Sequence, residues 1–185
     1  MQGRFIVITG PSAVGKSALV EELLRRVLNS ARLITLTTRP PRLQEKNGVD
    51  YYFVSRKEFE ERLGRNELFE YAEVYGNFYG SSKQVLADFL ERYQAVFAVV
   101  DVRGARTLKK ELPDSQVVFL RPGSLEDIGK RLRSERMGVP EEDIARRLAA
   151  AKEEMALAET FDAVVENIDG RFDETVAKTL AILGL

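Results

Sequence analysis

The chain has 185 residues, of which 44% are hydrophobic, and its 28 basic and 29 acidic side chains leave a formal net charge of -1. This size and composition predict one domain with a sizeable core, or one domain that carries a movable insert. The balanced charge excludes a general affinity for nucleic acid or an anionic membrane, so any anion site must be local. The absence of cysteine and histidine excludes disulfide bonds, thiolate metal sites and every mechanism that depends on an imidazole.

The first residues and the apolar runs bear on the location of the protein. Residues 1–4 lead directly into an apolar strand pattern without the features of a signal peptide, and no apolar stretch approaches the length of a membrane span. Together with the lack of cysteine, this predicts a soluble protein of the bacterial cytoplasm with no membrane or nucleic-acid partner.

The motif that organises the rest of the chain is the stretch GPSAVGKS at residues 10–17. An apolar run at 5–8 precedes it, and leucines at helical spacing follow it. This order of patterns predicts a strand, a phosphate-binding loop and a helix. A chance match to a short motif is the alternative, and the flanking strand and helix patterns disfavour it.

The residue types of this loop suit the binding of a nucleoside triphosphate. Gly10 and Gly15 permit backbone conformations that a Cβ atom would block, so that successive N–H groups can converge on an anion at the start of a helix. The ammonium of Lys16 can follow the β- and γ-phosphates, and the Ser17 hydroxyl is placed to ligate a bridging Mg²⁺. Ala13 is small enough for the loop, although it has less backbone freedom than glycine.

Hydrophobic periodicity predicts alternating strands and helices along the chain. The predicted elements after the loop are a helix over 16–28, a strand over 33–37, strands over 51–54 and 68–74 with a short helix between them, a helix over 83–91, strands over 95–100 and 117–120, helices over 124–137 and 141–159, a strand over 163–166 and a helix over 173–182. The run at 95–100 has the continuous hydrophobicity of a strand buried on both faces of a parallel sheet. Asp101 follows it, at the end where ligands of such sheets bind.

Residues 43–82 interrupt this alternation. They contain a turn signal at Asn47 and Gly48 and a concentration of tyrosine and phenylalanine. Aromatic residues in such a segment usually pack a core or a sheet, and that is the expectation for most of them. The segment predicts a small mixed subdomain inserted into the larger fold.

Arginines form two candidate anion sites. Arg39 and Arg42 flank two prolines that forbid a helix, so both can converge on one phosphate from an extended loop; a solvated basic turn is the alternative. The second set consists of Arg131, Arg133, Arg136, Arg146 and Arg147. This set can be an ordinary solvated face, or it can supply cations that close over phosphates during transfer. Helical spacing predicts that at most one of Arg146 and Arg147 faces a given ligand.

A series of motifs, at residues 10–17, 37–42, 48–54, 70–74 and 76–81, closely resembles guanylate kinase, a family of P-loop nucleoside monophosphate kinases. The resemblance spans nearly the whole chain. It implies an α/β protein with a three-layer P-loop kinase fold, in which a mainly parallel central sheet carries an inserted mixed α/β GMP-binding subdomain and a helical lid. The implied division of the single domain is a core of 1–34, 83–125 and 151–185, a GMP-binding subdomain of 35–82 and a lid of 126–150.

The resemblance also assigns an acceptor site. The implied GMP-binding residues are Thr35, Arg39, Arg42, Tyr51, Glu70, Tyr79, Ser81 and Asp101. The resemblance implies that two guanidinium groups, from Arg39 and Arg42, and two phenol hydroxyls, from Tyr51 and Tyr79, hold the GMP phosphate. Glu70 reads the base, because guanine offers its N1–H and 2-amino groups to one carboxylate whereas adenine offers no such pair.

A donor site and a set of catalytic residues follow from the same resemblance. The implied ATP-binding residues are Gly10, Pro11, Ser12, Ala13, Val14, Gly15, Lys16, Ser17, Ala18 and Asn167. The implied catalytic residues are Lys16, Arg39, Arg131, Arg136, Arg146 and Arg147. Ser17 is the implied metal ligand.

The sequence departs from the family pattern at three positions. Val99 stands where the family commonly has the first of two acids that end the fourth strand, which leaves only Asp101. Weaker Mg²⁺ handling or slower turnover is the expected consequence. Arg103 replaces a usual glutamine, and Leu36 replaces a small or polar residue.

The implied reaction is that of an enzyme in purine nucleotide metabolism: ATP and GMP give ADP and GDP with Mg²⁺, in a monomer or homodimer. Such a transfer needs no strong base, since the acceptor is already a phosphate oxygen. One alternative is a guanylate-kinase-like binding module with weak catalysis, which the intact Lys16 and Ser17 disfavour. The other is a related kinase with ribose 1,5-bisphosphate as acceptor, which Val99 keeps open.

Overall fold

The computed structural model describes residues 3–135 and 140–185. Its elements are β1 (Arg4–Thr9), α1 (Lys16–Arg26), β2 (Ser30–Arg32), β3 (Leu36–Thr37), β4 (Tyr52–Phe53), α2 (Arg56–Gly64), β5 (Leu68–Val74), β6 (Asn77–Ser82), α3 (Lys83–Arg92), β7 (Ala95–Val99), α4 (Val102–Glu111), β8 (Gln116–Pro122), α5 (Leu125–Glu135), α6 (Glu141–Met155), a short 3₁₀ helix (Ala158–Thr160), β9 (Ala163–Asn167) and α7 (Phe172–Leu183).

The central sheet has the strand order β2-β7-β1-β8-β9, and each of its neighbouring pairs is parallel. Its middle strands are continuous apolar runs, and Ile6, Val7 and Ile8 of β1 are fully buried. Burial of both faces explains why these strands lack the alternation of an exposed sheet. The predicted α/β class with a mainly parallel central sheet is confirmed.

Helices cover both faces of this sheet. On one face, Leu19 and Leu23 of α1 pack with Val176 of α7 against the sheet. On the other face, Leu86 of α3 and Leu108 of α4 pack against it. The sheet and its two helical layers direct the carboxyl ends of β1 and β7 towards one edge, where parallel sheets bind ligands.

A second sheet has the strand order β4-β3-β6-β5. Strands β5 and β6 form an antiparallel hairpin, and β3 is parallel to β4 but antiparallel to β6. Leu36, Phe59 and Leu68 form its small core. Leu36, one of the departures from the family pattern, is thus a core residue. A leucine at this position buries more apolar surface than a small residue does.

Helices α5 and α6 pack against each other through a separate apolar cluster that contains Ile128, Leu132 and Ile144.

No helix within residues 3–135 and 140–185 is long and apolar enough to cross a membrane.

The structure corrects several predicted elements. The predicted strand over 33–37 is wrong, because the chain crosses there from β2 in the central sheet to β3 in the second sheet. Strand β2, strand β6 and helix α4 were not predicted, although the buried residues Val102, Ala105 and Leu108 of α4 recur at helical spacing. The predicted helices over 16–28 and 141–159 end earlier, at Arg26 and at Met155.

Candidate active site

The phosphate loop joins β1 to α1 at the edge of the central sheet. Gly15 begins the helix at a positive φ of 98°, and a Cβ atom there would lie 2.7 Å from Nδ2 of Asn167. The Nζ of Lys16 donates hydrogen bonds of 2.7 Å to the carbonyl oxygens of Gly10 and Pro11. Helix α1 has no acidic residue in its first turn and no side-chain cap. Its first N–H groups and the lysine ammonium therefore form a cationic end suited to an anion.

Two predicted site residues brace the outer side of this loop. Asn167 is buried, and its Nδ2 donates to the carbonyl of Val14 over 2.8 Å. Arg131 donates through Nη1 to the carbonyl of Ala13 over 3.3 Å and forms an ion pair with Asp169. Both side chains contact loop carbonyls, so they reach the predicted ATP site from behind the loop.

The first arginine pair lies beside a carboxylate. Nη2 of Arg39 donates to both carboxylate oxygens of Glu45, over 2.8 and 2.9 Å, and the backbone N–H of Arg42 donates to the same carboxylate over 2.7 Å. The guanidinium of Arg39 also lies 5.6 Å from the ring centre of Tyr51. Arg39 is thus enclosed and already holds an anionic group, which favours the phosphate interpretation over a solvated turn.

The guanine-reading position predicted for Glu70 lies at the other end of the site. Glu70 is 4% exposed, and this burial, together with the charge of Asp101, raises its pKa to about 7, although the Ser81 hydroxyl beside it lowers the pKa. Asp101 caps α4, since its Oδ1 accepts hydrogen bonds from the backbone N–H groups of Arg103 and Gly104. A Cβ atom at Gly104 would lie 2.9 Å from Oε2 of Glu70, so this helix needs glycine to approach the carboxylate.

A single cavity of about 600 Å³ runs between these two ends. The predicted site residues that line it are Gly10, Ser12, Lys16, Thr35, Arg39, Arg42, Tyr51, Glu70, Tyr79, Asp101, Arg146 and Arg147. The predicted residues outside its lining are Pro11, Ala13, Val14, Gly15, Ser17, Ala18, Arg131, Ser81 and Asn167. Arg136 lies outside the described residues. The structure therefore joins nearly all of the predicted GMP site to three residues of the phosphate loop, Gly10, Ser12 and Lys16, in one space.

Buried polar atoms without a hydrogen-bond partner cluster at this cavity. Within the described part of the chain, such side-chain atoms are Nε of Arg39, Oγ of Ser81 and Nε of Arg147. Arg39 and Arg147 line the cavity, and Ser81 lies beside Glu70. Unpaired buried donors are unfavourable in a protein without ligand, so their position here points to groups that a ligand satisfies.

Sequence reasoning missed an acidic side chain of the cavity wall, Glu154 of α6. Burial and the charge of Asp101 raise its pKa to about 7, and the opposing charges of Lys16 and Arg103 lower it. The spacing along α6 could have indicated Glu154, because residues seven apart lie on the same face of a helix and Glu154 is seven residues after Arg147.

The two adjacent arginines of α6 meet the hairpin of the second sheet. The guanidinium carbons of Arg146 and Arg147 lie 5.5 and 4.3 Å from the ring centre of Tyr75. The prediction that at most one of them faces a given ligand stays a prediction, although their long side chains bring both to one ring. Tyr75 itself lies in a turn, where no periodic pattern distinguishes it.

Comparison with known proteins places these observations in a family. The family model described as Guanylate kinase matches residues 2–183. The guanylate kinase of Thermosynechococcus vestitus is 42% identical over 90% of this chain and 87% of its own length. That of Synechocystis is 38% identical over 100% of this chain and 95% of its own. The crystal structure of guanylate kinase from Anaplasma phagocytophilum has a TM-score of 0.77 and 30% identity, over 99% of this chain and 85% of that one.

Proposed function

Because the chain belongs to the guanylate kinase family and transfers the γ-phosphoryl group of ATP to GMP, giving ADP and GDP, we propose that the cavity described above is where this transfer takes place. The observation that carries the proposal is that one cavity is lined by Lys16 of the phosphate loop, Arg39 of the second sheet's loop and the buried Glu70. A donor-phosphate site, an acceptor-phosphate site and a base-reading carboxylate thus face one space.

On the donor side, the phosphate loop and the start of α1 hold the ATP phosphates through backbone N–H groups. Lys16 leaves the carbonyls of Gly10 and Pro11 to follow the β- and γ-phosphates. Asn167 and Arg131 stabilise the loop through its carbonyl groups and form the border of the site on the adenine side.

On the acceptor side, the GMP phosphate takes the place of Glu45 on Arg39, where a planar anion already sits. Arg42 and the phenol groups of Tyr51 and Tyr79 complete the phosphate site. Ionised Glu70 accepts hydrogen bonds from N1–H and the 2-amino group of guanine. Thr35 and Asp101, which also line the cavity, and Ser81, whose hydroxyl lies beside Glu70, supply the remaining polar contacts.

The transfer relies on position and charge, because the acceptor oxygen needs no base. Lys16 and the arginines of α5 and α6 neutralise the charge on the moving phosphoryl group. We assign residues 35–82 to a GMP-binding subdomain, 126–150 to a lid and the remainder to the core. Closure of these parts over the substrates excludes water that would otherwise hydrolyse the phosphoryl group.

The residues present fit a Mg²⁺ ion that arrives with the nucleotide. Within the described ranges, no group of three or more acidic side chains could hold a metal ion by itself. Mg²⁺ in such sites typically keeps waters and binds substrate phosphates with one or two protein oxygens. The Ser17 hydroxyl supplies such an oxygen and Val99 supplies none. The bound ion would neutralise phosphate charge.

We also propose that the protein is cytoplasmic, that it is a monomer or homodimer, and that it binds neither membrane nor nucleic acid. The net charge of -1 and the absence of cysteine support it. Size-exclusion chromatography with light scattering measures the oligomeric state directly, and fractionation of cells that express the protein measures its location.

An assay of ADP release tests the proposed site. ATP and Mg²⁺ are supplied with GMP, AMP or ribose 1,5-bisphosphate, and Lys16→Ala serves as the blank. We expect turnover that requires Lys16 and is restricted to GMP. Equal turnover with ribose 1,5-bisphosphate would contradict the acceptor site, and GMP binding without turnover would favour a binding module.

A further inference from the structure

The contact between α6 and the turn of the β5–β6 hairpin has no role in the function described so far. Arg147 lies with its guanidinium carbon 4.3 Å from the ring centre of Tyr75, a distance typical of a cation–π contact. Both residues line the cavity. The contact therefore joins the proposed lid to the proposed GMP-binding subdomain at the rim of the substrate site.

Tyr75 lies in the tight turn between β5 and β6, in an unusual backbone conformation. Tyr75 and Gly76 have φ values of 50° and 78°, and they form the two-residue turn between the paired residues Val74 and Asn77. Two positive φ values in a two-residue turn match the right-handed twist of the flanking strands. A tyrosine is uncommon at such a position, where asparagine or glycine is less strained. Strained backbone conformations cluster at functional sites, where the strain is part of the function.

Arg147 differs from its neighbour in what its donors contact. Arg146 forms an ion pair of 2.7 Å with Asp143, whereas no ion pair of Arg147 occurs among the described residues. The Nε of Arg147 is buried and lacks a hydrogen-bond partner there. A ring face holds a guanidinium through its plane and uses none of its N–H donors. The contact thus fixes Arg147 while its donors stay available for phosphate oxygens.

We propose that Tyr75 is a positioning residue, which docks Arg147 of α6 on the GMP side of the cavity so that its N–H groups meet the transferring phosphoryl group. This inference rests on the proposed function, because it assumes that Arg147 acts on the phosphates. Its consequence is a link between the two moving parts, since the hairpin that closes on GMP also provides the surface on which the lid arginine settles.

The test compares Tyr75→Asn with Tyr75→Phe. Asparagine tolerates the positive φ of the turn and removes the ring, whereas phenylalanine keeps the ring face and removes only the hydroxyl. We expect Tyr75→Asn to lower kcat roughly tenfold with less than a twofold change in KM for GMP, and Tyr75→Phe to restore kcat. Tyr71→Thr, at a 47% exposed tyrosine of β5, is the matched control and should leave kcat unchanged. Melting temperatures show whether the variants fold.

A double-mutant cycle separates docking from a structural role. If Tyr75 acts through Arg147, adding Tyr75→Asn to Arg147→Ala lowers kcat no further. Additive losses, an unchanged kcat in Tyr75→Asn, or a failure of Tyr75→Phe to restore kcat would each overturn the inference. Full activity of Arg147→Ala would instead contradict the role that the proposed function gives to this lid arginine, so the two failures are distinguishable.

A distance measurement provides a readout that does not depend on activity. The chain has no cysteine, so Lys57→Cys on α2 and Lys152→Cys on α6 can carry a single pair of spin labels. With ADP and GMP bound, we expect a narrow distance distribution in the otherwise native protein and in Tyr75→Phe, and a longer or broader one in Tyr75→Asn. Identical distributions in all three would overturn the docking role.

Discussion

The two ends of the cavity are built in different ways. At the proposed donor end, the phosphate loop is one continuous segment, and its backbone N–H groups and the ammonium of Lys16 are the groups that we expect to face the ATP phosphates. At the acceptor end, Glu70 comes from β5, Asp101 from the end of β7 and Gly104 from α4. The donor site is thus a local property of the chain, whereas the acceptor site exists only where several distant elements meet.

This difference explains what each end can recognise. Backbone amides bind any phosphate chain, and they do not distinguish nucleobases. A buried carboxylate distinguishes guanine from adenine strongly, because the wrong base leaves buried polar groups unpaired. Charge therefore dominates the donor end, and the exact position and ionisation of one side chain dominate the acceptor end.

Removal of the donor-end charge is the change with the largest expected effect. We expect Lys16→Ala to lower kcat roughly 100- to 1,000-fold, because a preorganised cation at the transferring group is lost. Single-turnover and steady-state assays measure it. Lys130→Ala, at a 75% exposed lysine of α5, is the control and should remain active. If Lys16→Ala kept a third of the normal kcat, charge would not dominate the donor end, and the stated difference between the two ends would be wrong.

The matching change at the acceptor end is Glu70→Gln. We expect kcat/KM for GMP to fall roughly 30-fold and the preference for GMP over AMP to shrink, since an amide cannot accept both guanine donors. The change leaves the donor end intact, so KM for ATP should stay within twofold. Glu91→Gln, at an exposed position of α3, controls for the loss of a carboxylate. An unchanged GMP preference would show that another group reads the base.

The raised pKa of Glu70 predicts a pH dependence. Its pKa is about 7, and guanine needs the ionised form, so KM for GMP should rise roughly tenfold as the pH falls from 8 to 6. Because the folded state holds this proton above the ordinary pKa of 4.5, the free energy of unfolding should also fall as the pH rises from 4.5 to 7. Glu70→Gln should reduce both effects and leave the titration of the GMP phosphate near pH 6 and that of Glu154, whose pKa is also about 7. A pH profile of KM that is the same in both proteins would refute the assignment.

The close approach at Gly104 offers a finer change at the acceptor end. Gly104→Ala places a Cβ atom 2.9 Å from the Glu70 carboxylate, so we expect the carboxylate to shift and KM for GMP to rise several-fold. Gly64→Ala is the matched control, because nothing lies within 4 Å of the added Cβ. Titration calorimetry with GMP measures the change in affinity. Equal affinity in both variants would mean that this helix does not set the position of Glu70.

The smallest expected effect concerns the backbone of the donor end. Ala13 has a φ of 60°, where an L-residue is strained and glycine is not. We expect Ala13→Gly to raise the free energy of unfolding by about 0.5 kcal/mol and the melting temperature by about 2 °C, with kcat unchanged within twofold. A clear loss of stability, measured by thermal unfolding, would show that the Ala13 methyl contact with the α5–α6 cluster outweighs the strain.

The sequence alone was sufficient for the phosphate loop, the family and four strands of the central sheet, β1, β7, β8 and β9, but not for β2. The runs at 5–8 and 95–100 are continuous because both faces of their strands are buried, and this signal is contained in neighbouring residues. The loop of residues 10–17 depends in the same way on the order of adjacent residue types. Motifs around Glu70 and Tyr79 were recognised by resemblance, although periodicity did not predict strand β6.

Only the tertiary structure decided which distant residues share the cavity. Tyr75 became part of the site because Arg146 and Arg147 of α6 contact the turn of the hairpin. Glu154 became part of it because the same helix passes close to Lys16 and Asp101. Residues 30–37 divide between two sheets because the partners of β2 and β3, which are β7 and β6, come from later parts of the chain. The pKa of Glu70 likewise depends on burial by residues far away in sequence. Local composition determines which elements form, but long-range packing determines the dielectric environment and neighbours of each side chain, and these set the chemistry.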